Sequence, residues 1–288
     1  MFIRHAVFGR VDRPVYSASF IQLPCVAWRR TGKADMSHHI VEVKELKFSY
    51  PDGTPALNGV NFRITHGESV ALVGANGAGK STLLLHLNGY LTPQAGSVRI
   101  GDMPITKKTL KQVRQTVGMV FQDPDDQLFL PRVYDDVAFG PTNLGLPPDE
   151  VKQRTLSALA LVGAAHLKDR PPYKLSGGEK RAVSIATVLS MSPSILVMDE
   201  PTSNLDPKAR RQLIHLLSEF DHTKIIATHD MDMVLDLCSR AIVLKDGEVV
   251  ADGAAREILD NRDLLDASGL EKPLRLQGCP VCGNSANN

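Results

Sequence analysis

The chain of 288 residues contains little cysteine, few aromatic residues and no long apolar run. Its four cysteines are scattered, so they indicate no disulfide framework and are typical of a reducing compartment. Because no stretch approaches about 18 uninterrupted apolar residues, nothing in the sequence predicts a transmembrane helix. The composition, 43% hydrophobic and 23% charged, is that of a globular protein and argues against disorder over the whole chain.

An excess of charge of one sign is also lacking, since 33 basic and 32 acidic residues give a formal net charge of +1. A nucleic-acid-binding domain usually carries a basic excess, so we expect no nucleic-acid partner. The balance conceals a basic first segment, residues 1–36, for which three interpretations compete. Pro24 and the lack of a cleavage site disfavour a signal peptide. An organellar transit segment and a disordered or mis-started leader remain, and we favour the leader because a strand pattern begins just after Met36.

Two of the cysteines, Cys279 and Cys282, have the spacing of metal ligands. A single CxxC pair supplies only two of the four ligands of a structural zinc site. The pair is therefore either part of a loose tail or half of a site that two chains share. We favour the loose tail.

Hydrophobic periodicity predicts an α/β domain with a largely parallel sheet. Alternation over 40–50 and 60–64 predicts strands, and the apolar runs 69–73 and 195–198 predict strands buried on both faces. The pattern predicts further strands at 98–100, 117–121 and 224–228, an Asp-Gly hairpin over 241–250, and helices at 81–89, 149–161, 178–189 and 207–220. Because residues of about 123–190 are mainly helical in pattern, we expect an inserted helical subdomain there.

A glycine-rich segment between a buried strand and a helix matches G-x-x-x-x-G-K-S completely, and this context supports a phosphate-binding loop. Glycines let backbone N–H groups surround phosphates, and the helix N-terminus favours an anion. Lys80 can reach the β- and γ-phosphates, and the Ser81 hydroxyl can bind Mg²⁺. The predicted nucleotide-binding residues of this segment are Gly74, Ala75, Asn76, Gly77, Ala78, Gly79, Lys80, Ser81 and Thr82.

The buried strand 195–198 is followed directly by Asp199 and Glu200. Parallel strands deliver the residues at their carboxyl ends to the ligand-binding edge of the sheet. Asp199 is therefore a candidate Mg²⁺ ligand, and Glu200 is placed to polarise the attacking water. Alone, the pair would be interpreted as solvated carboxylates; the phosphate loop makes the catalytic interpretation the stronger one.

The segment Leu175-Ser176-Gly177-Gly178 precedes the acidic strand, and with the phosphate loop it makes the chain resemble the ATP-binding subunit of an ABC transporter. The resemblance covers roughly residues 37–270, with a leader over 1–36 and a tail over 271–288. It implies a RecA-like P-loop NTPase core, an antiparallel β subdomain and an α-helical signature subdomain. It further implies a dimer, by default of two identical chains, that sandwiches two ATP molecules. In that dimer Ser176, Gly177 and Gly178 grip the γ-phosphate bound by the opposite subunit.

The same resemblance assigns roles to four more residues. Tyr50 matches the aromatic residue that stacks on adenine. A tyrosine at a strand end can also belong to the core, but we favour stacking because an aromatic face suits a base. Gln122 matches the glutamine that contacts Mg²⁺ and water and couples to the membrane partner. Asp206 lies in the loop that crosses the dimer interface and also suits an N-cap. His229 matches the histidine that senses the γ-phosphate, so the implied catalytic set is Glu200, His229, Gln122 and Lys80.

A finer resemblance is carried by residues 121–129, FQDPDDQLF, and by 135–141, which look like the energy-coupling-factor group of importers. This group implies a transmembrane scaffold protein, a substrate-binding membrane protein and a peripheral location at the cytoplasmic face of the membrane. The segment after Gln122 would contribute to the groove that receives the scaffold, although it could also be an exposed acidic loop. Residues 36–43 and the end near Cys279 look most like cobalt and nickel uptake ATPases.

Three alternatives compete with a metal importer. One is an importer ATPase for a vitamin, which uses the same chemistry, and the other two differ in class. Another is a soluble ABC ATPase without transport, but only about 120 residues separate Gly74 from Asp199, and no heptad pattern suggests a long coiled coil. The third is a nucleotide-binding regulator without hydrolysis, against which Glu200 and His229 argue.

Overall fold

The structure is a computed structural model and describes residues 39–277. The leader predicted over 1–36 and the Cys279 and Cys282 pair lie outside the described residues. The strands are β1 (His39–Ser49), β2 (Pro55–Thr65), β3 (Ser69–Val73), β4 (Ala95–Ile100), β5 (Met103–Pro104), β6 (Val117–Val120), β7 (Ile195–Asp199), β8 (Thr223–Ala227), β9 (Arg240–Lys245) and β10 (Glu248–Ala254). The α-helices are α1 (Lys80–Leu87), α2 (Leu110–Thr116), α3 (Val133–Asn143), α4 (Pro148–Leu161), α5 (Gly177–Leu189), α6 (Pro207–Ser218), α7 (Met231–Leu237), α8 (Ala255–Asp260) and α9 (Arg262–Ala267).

Four strands form an antiparallel sheet in the order β2-β1-β4-β5. Val41 and Val43 of β1 are buried, as their alternation predicts. Leu46 is buried as well, although it lies three residues after Val43 and strict alternation would place it on the other face. A register shift between Val43 and Leu46 explains this change, because Glu45 adopts a positive φ of 46° there. The extra residue of a β-bulge moves the following side chains to the opposite parity.

Six strands form the second sheet, in the order β10-β9-β3-β8-β7-β6. Strands β9, β3, β8, β7 and β6 pair in parallel, and β10 adds an antiparallel edge. In β3, Val70 and Leu72 join one apolar cluster while Ala71 and Val73 join another, so the strand is buried on both faces. The predicted α/β fold with a largely parallel sheet is therefore confirmed.

The Asp-Gly hairpin between β9 and β10 is also confirmed. Asp246 and Gly247 both have positive φ, 51° and 77°, as the tight hairpin turn requires.

Helices α3, α4 and α5 pack against one another around their own apolar cluster, which includes Val137, Leu159 and Val183. These helices occupy most of the stretch 123–190 for which the sequence predicts helix. Two of the four predicted helices in the chain lie here and match α4 and α5 within one residue at each end. Within residues 39–277, no helix is both long enough and apolar enough to cross a membrane.

Candidate functional site

The glycine-rich loop joins β3 to α1, and its backbone is closely confined. Gly79 has a φ of 101°, and a Cβ atom there would lie 2.5 Å from the carbonyl oxygen of Ala56. A Cβ atom on Gly74 would lie 2.3 Å from the carbonyl oxygen of Leu244. Only glycine fits these two positions, so the loop keeps a fixed shape in front of the first turn of α1, whose N–H groups have no partner within the helix.

Lys80 is the first residue of α1 and is 7% exposed. Its Nζ donates hydrogen bonds to the carbonyl oxygens of Gly74, at 2.7 Å, and Ala75, at 3.1 Å. Burial lowers the pKa of Lys80, and the nearby carboxylates of Glu200 and Asp199 oppose that change. The loop therefore holds a cation against its own backbone, where a phosphate bound by the loop would meet it.

Asp199 ends the buried strand β7 and is 5% exposed. Burial raises the pKa of its carboxyl group, and the repulsion from Glu200 adds to this, while a hydrogen bond from Ser81 and the charges of Lys80 and Arg181 lower it. Its Oδ1 is buried and has no hydrogen-bond partner. A carboxylate oxygen without a partner, beside a serine hydroxyl, is a donor set that suits Mg²⁺.

No group of three His, Cys, Asp or Glu within residues 39–277 is arranged to hold a metal ion. A metal ion at the end of β7 would thus depend on the mixed set that the sequence predicts, which is Ser81, Gln122 and Asp199.

Glu200 and His229 follow two neighbouring strands, β7 and β8, and the structure brings them into contact. Nδ1 of His229 lies 2.8 Å from Oε2 of Glu200, which also accepts a hydrogen bond from the backbone N–H of His229 at 3.3 Å. The backbone of Glu200 has a positive φ of 45°, and its N–H donates to the carbonyl oxygen of Ala227 at 2.8 Å. A non-glycine residue held in this region is strained, and such strain concentrates at functional sites.

The two side chains of this pair differ in exposure. Glu200 is 7% exposed, whereas the side chain of His229 keeps 70% of its surface accessible. The carboxylate is therefore largely shielded from solvent, whereas the imidazole that contacts it remains exposed.

Tyr50 follows β1, and 38% of its surface is exposed. Its hydroxyl forms a hydrogen bond of 2.9 Å with the hydroxyl of Thr82 in α1. The structure thus joins two residues that the sequence predicts to bind nucleotide, and the alternative that Tyr50 is an ordinary core residue does not fit its exposure.

Gln122 follows β6, and its backbone carbonyl group is bound by Arg181, a residue that the sequence pattern does not point to. Nη1 of Arg181 in α5 donates to the carbonyl oxygen of Phe121 at 2.7 Å, and Nη2 donates to that of Gln122. Arg181 is 3% exposed, and Gln127 adds a second tie from the same segment to the carbonyl oxygen of Ser184 at 2.7 Å. A single basic residue within a helix gives no sequence signal of this kind.

Ser176 is the N-cap of α5 and forms a capping box with Glu179. The Ser176 Oγ accepts from the Glu179 N–H at 3.3 Å, and a Glu179 carboxylate oxygen accepts from the Ser176 N–H at 2.8 Å. The Ser176 hydroxyl also donates to Glu179, so the first-turn N–H groups of Gly177 and Gly178 are the donors that the helix leaves for an anion.

Asp206 is the N-cap of α6, as its double interpretation allows. Its Oδ1 accepts from the N–H groups of Lys208, at 2.8 Å, and Ala209, at 3.0 Å. These backbone hydrogen bonds hold the pKa of Asp206 below its usual value. The signature residues lie against the same helix, since a Cβ atom on Gly178 would lie 3.7 Å from Cβ of Ala209.

The predicted residues therefore divide into sets. Lys80, Ser81, Asp199 and Glu200 interact with one another, His229 joins them through Glu200, and Tyr50 joins Thr82. The signature residues and Asp206 instead cap α5 and α6. A loop that can surround phosphates, a buried cation and a shielded carboxylate together can bind a polyphosphate and activate water.

A family model described as ABC transporter matches residues 57–203. An ABC transporter ATP-binding protein of Geobacter sulfurreducens is 68% identical over 248 residues, which are 86% of this chain and 100% of that protein. The energy-coupling factor transporter ATP-binding protein EcfA of Methanothermobacter thermautotrophicus is 48% identical, over 81% of this chain and 77% of that protein.

Solved structures resemble the chain as well. CbiO1 of Clostridium perfringens, described as part of the ABC transporter complex CbiONQ, has a TM-score of 0.70 at 42% identity and covers 80% of this chain and 94% of its own. A dimeric ATP-binding cassette in a post-hydrolysis state with ADP and Pi has a TM-score of 0.69 at 29% identity and covers 75% of this chain and 99% of its own.

Proposed function

The chain belongs to the ABC transporter family of ATP-binding proteins and is an ATPase of that family, and we propose that it powers an energy-coupling-factor importer of cobalt or nickel ions. The observation that carries ATP hydrolysis in this proposal is the contact of Glu200 with His229 beside a complete phosphate loop. This arrangement favours an ATP-hydrolysing subunit over a nucleotide-binding regulator. The importer is supported by the similarity to an EcfA protein and to CbiO1.

ATP would be held at three points. The loop 74–81 and Lys80 bind the phosphates, Tyr50 stacks on the adenine, and Thr82 extends the phosphate-binding turn. Ser81, Asp199 and Gln122 would hold Mg²⁺, which neutralises phosphate charge when bound. The buried Asp199 Oδ1 supports this assignment, because a partner of opposite charge would offset the cost of its burial.

Glu200 is proposed to accept a proton from, or orient, the water that attacks the γ-phosphate. His229 positions this carboxylate through the 2.8 Å contact and faces the γ-phosphate with its exposed side. Lys80 stabilises charge on the phosphate oxygens. Catalysis would consist mostly of positioning and charge stabilisation, as is general for phosphoryl transfer.

Two copies of the chain would complete two ATP sites. The signature residues Ser176, Gly177 and Gly178 of each chain would contact the γ-phosphate bound to the other, with Asp206 near the interface. The dimeric cassette to which the chain is similar supports this proposal. ATP binding would close the dimer, and hydrolysis and release would reopen it, because only the closed form has both half-sites in contact with the nucleotide.

A transmembrane scaffold and a substrate-binding membrane protein are the proposed partners, at the cytoplasmic face of the membrane. Similarity to an EcfA protein and to a component of a CbiONQ complex supports them. We propose that Phe129 and Phe139 belong to the surface that contacts the scaffold. They are 63% and 46% exposed, and their rings form an edge-to-face pair with centroids 5.2 Å apart. Exposed apolar pairs of this kind favour protein contacts.

We further propose the domain organisation that the sequence predicts, with an ATP-binding domain over 37–270, a helical subdomain over about 123–190 and a tail over 271–288. The proposed cargo is supported by the resemblance of residues 36–43 to cobalt and nickel uptake ATPases and by the similarity to CbiO1. A vitamin importer uses the same ATPase chemistry, so the membrane partner discriminates between the two.

The test is recovery of the tagged chain from solubilised membranes, followed by identification of its partners. We expect a scaffold protein together with a metal-binding membrane protein. A vitamin-binding membrane protein would overturn the cargo, and recovery of soluble chains alone would overturn transport. The double variant Phe129→Asp with Phe139→Asp should lose the scaffold, while the control Leu274→Asp, at a residue that is 74% exposed, should retain it.

A further inference from the structure

Tyr50 is held from one side by buried residues of β1 and α1. Its hydroxyl bonds to the hydroxyl of Thr82 at 2.9 Å. Tyr50 is 38% exposed, whereas Thr82 is 6% exposed. An accessible ring is therefore fixed at its far end by a side chain that cannot itself move freely.

A second contact fixes the same ring from its edge. The rings of Phe48 and Tyr50 meet nearly at right angles, with centroids 5.3 Å apart. Phe48 in turn meets His86 of α1 with centroids 4.8 Å apart, and Nδ1 of His86 bonds to the carbonyl oxygen of Thr82 at 2.7 Å. The contacts form a closed circuit that runs from Tyr50 through Thr82, His86 and Phe48 back to Tyr50.

The other members of this circuit are buried. Phe48 is 8% exposed and His86 is fully buried. Burial lowers the pKa of His86, which favours the uncharged imidazole. The backbone of Tyr50 is fixed as well, because its N–H donates to the carbonyl oxygen of Thr54 and its own carbonyl accepts from Gly53, both at 2.9 Å.

We propose that Thr82 is a positioning residue for the adenine ring: through its hydroxyl it sets the orientation of Tyr50, and so couples the base platform to the phosphate loop. The proposal rests on the proposed stacking of Tyr50 on adenine. Thr82 lies two residues after Lys80 in the same helix, so α1 carries both the phosphate-binding lysine and the hydroxyl that holds the ring of Tyr50.

A tyrosine that is oriented by Thr82 should respond to substitution differently from a tyrosine that only stacks on the base. A tyrosine that only stacks needs its ring and not its hydroxyl, because the π-face makes the contact. A positioned tyrosine also needs the hydroxyl, since a ring that is already fixed loses less freedom when the base binds. Inorganic tripolyphosphate has no base and should not sense either effect at Tyr50.

The experiment measures dissociation constants of Mg·ATP and Mg·tripolyphosphate by calorimetry on the full chain, for wild type, Tyr50→Phe, Thr82→Val and the double variant. We expect Tyr50→Phe to weaken ATP binding about three- to tenfold, the range for loss of one hydrogen bond, and to leave tripolyphosphate binding unchanged. The double variant should bind ATP no more weakly than Thr82→Val alone, because each change breaks the same bond. Thr82→Ser should restore the wild-type ATP affinity.

Additive effects in the double variant, or a Tyr50→Phe variant with wild-type ATP affinity, would overturn the positioning role. Tyr50→Ala separates this failure from failure of the proposed stacking. If Tyr50→Ala weakens ATP binding and Tyr50→Phe does not, stacking stands and positioning is wrong; if neither has an effect, both are wrong. Tyr173→Phe, at a tyrosine that is 77% exposed, is the matched control and should leave ATP affinity unchanged.

Discussion

At the scale of single residues, the site combines groups that are costly to bury with groups that stay accessible. Asp199, Glu200 and Lys80 are each less than one-tenth exposed, while His229 and Tyr50 are accessible. A buried charge without a full set of partners lowers the free energy of unfolding, and a bound ligand of opposite charge can offset this loss. Stability and activity should therefore respond in opposite directions to substitutions at the buried carboxylate.

Asp199→Asn should stabilise the nucleotide-free chain. The pKa of Asp199 is raised by burial, so its favourable contribution is complete below the unfolded pKa, 3.8, and is lost as pH rises through the folded pKa. At neutral pH the buried carboxylate therefore destabilises the folded chain. We expect the asparagine variant to have a free energy of unfolding about 1 kcal/mol higher than the wild type. Chemical denaturation at about pH 7.5 checks this, and the gain should shrink as the pH falls through the folded pKa toward the unfolded one. A loss of stability at about pH 7.5 would contradict it.

At the scale of elements, the sequence predicts long and strongly patterned segments well. The apolar strands, the helices of 12 to 14 residues and the Asp-Gly hairpin lie where periodicity and turn residues place them. Helix α7 has only seven residues and α3 contains Pro141, so neither gives a clear helical period, and the sequence analysis did not identify them. The sequence also did not predict the bulge at Glu45, because one inserted residue reverses the alternation of side chains along a strand without changing its composition.

The candidate site shows the same division. Residues in a continuous motif, such as the loop 74–81 and the pair Asp199 and Glu200, could be identified from spacing. Arg181 could not, because it reaches the Phe121–Gln122 peptide across about 60 positions of sequence, and no local pattern reports such a contact.

The phosphate loop offers a matched pair of glycines for a stability test. Gly77 and Gly79 both have positive φ, but a Cβ atom on Gly77 would meet nothing within 4 Å, whereas one on Gly79 would meet the Ala56 carbonyl oxygen at 2.5 Å. Gly77→Ala should cost about 1 kcal/mol for the strained φ, and Gly79→Ala clearly more, because the strand β2 must also move. Thermal unfolding of the two variants measures this order, and equal losses would show that the close contact does not constrain the loop.

At the scale of the whole molecule, the proposed site is complete only when two chains meet. The phosphate loop lies between β3 and α1, and the signature residues lie at α5 against α6. Each chain would thus supply two half-sites that act on different ATP molecules. The near-zero net charge of the sequence gives no hint of this anion chemistry, because a few aimed N–H groups and Lys80 carry it.

A charge placed at Gly177 should separate nucleotide binding from dimer formation. A Cβ atom there meets nothing within 4 Å and needs no positive φ, so Gly177→Asp should fold normally. Its carboxylate would repel the γ-phosphate of the partner chain, and we expect ATP-dependent dimers to disappear while each chain still binds ATP. Light scattering with and without Mg·ATP reports the mass. Ser157→Asp, at an exposed position of α4, is the control and should dimerise like wild type.

The central claim, that Glu200 activates water for ATP hydrolysis, is tested most directly by the steady-state ATPase rate of Glu200→Gln. The account predicts that the rate falls by at least about 100-fold, as for loss of a general base, while Mg·ATP affinity stays near that of the wild type. A Glu200→Gln variant that hydrolyses ATP at the wild-type rate would contradict it.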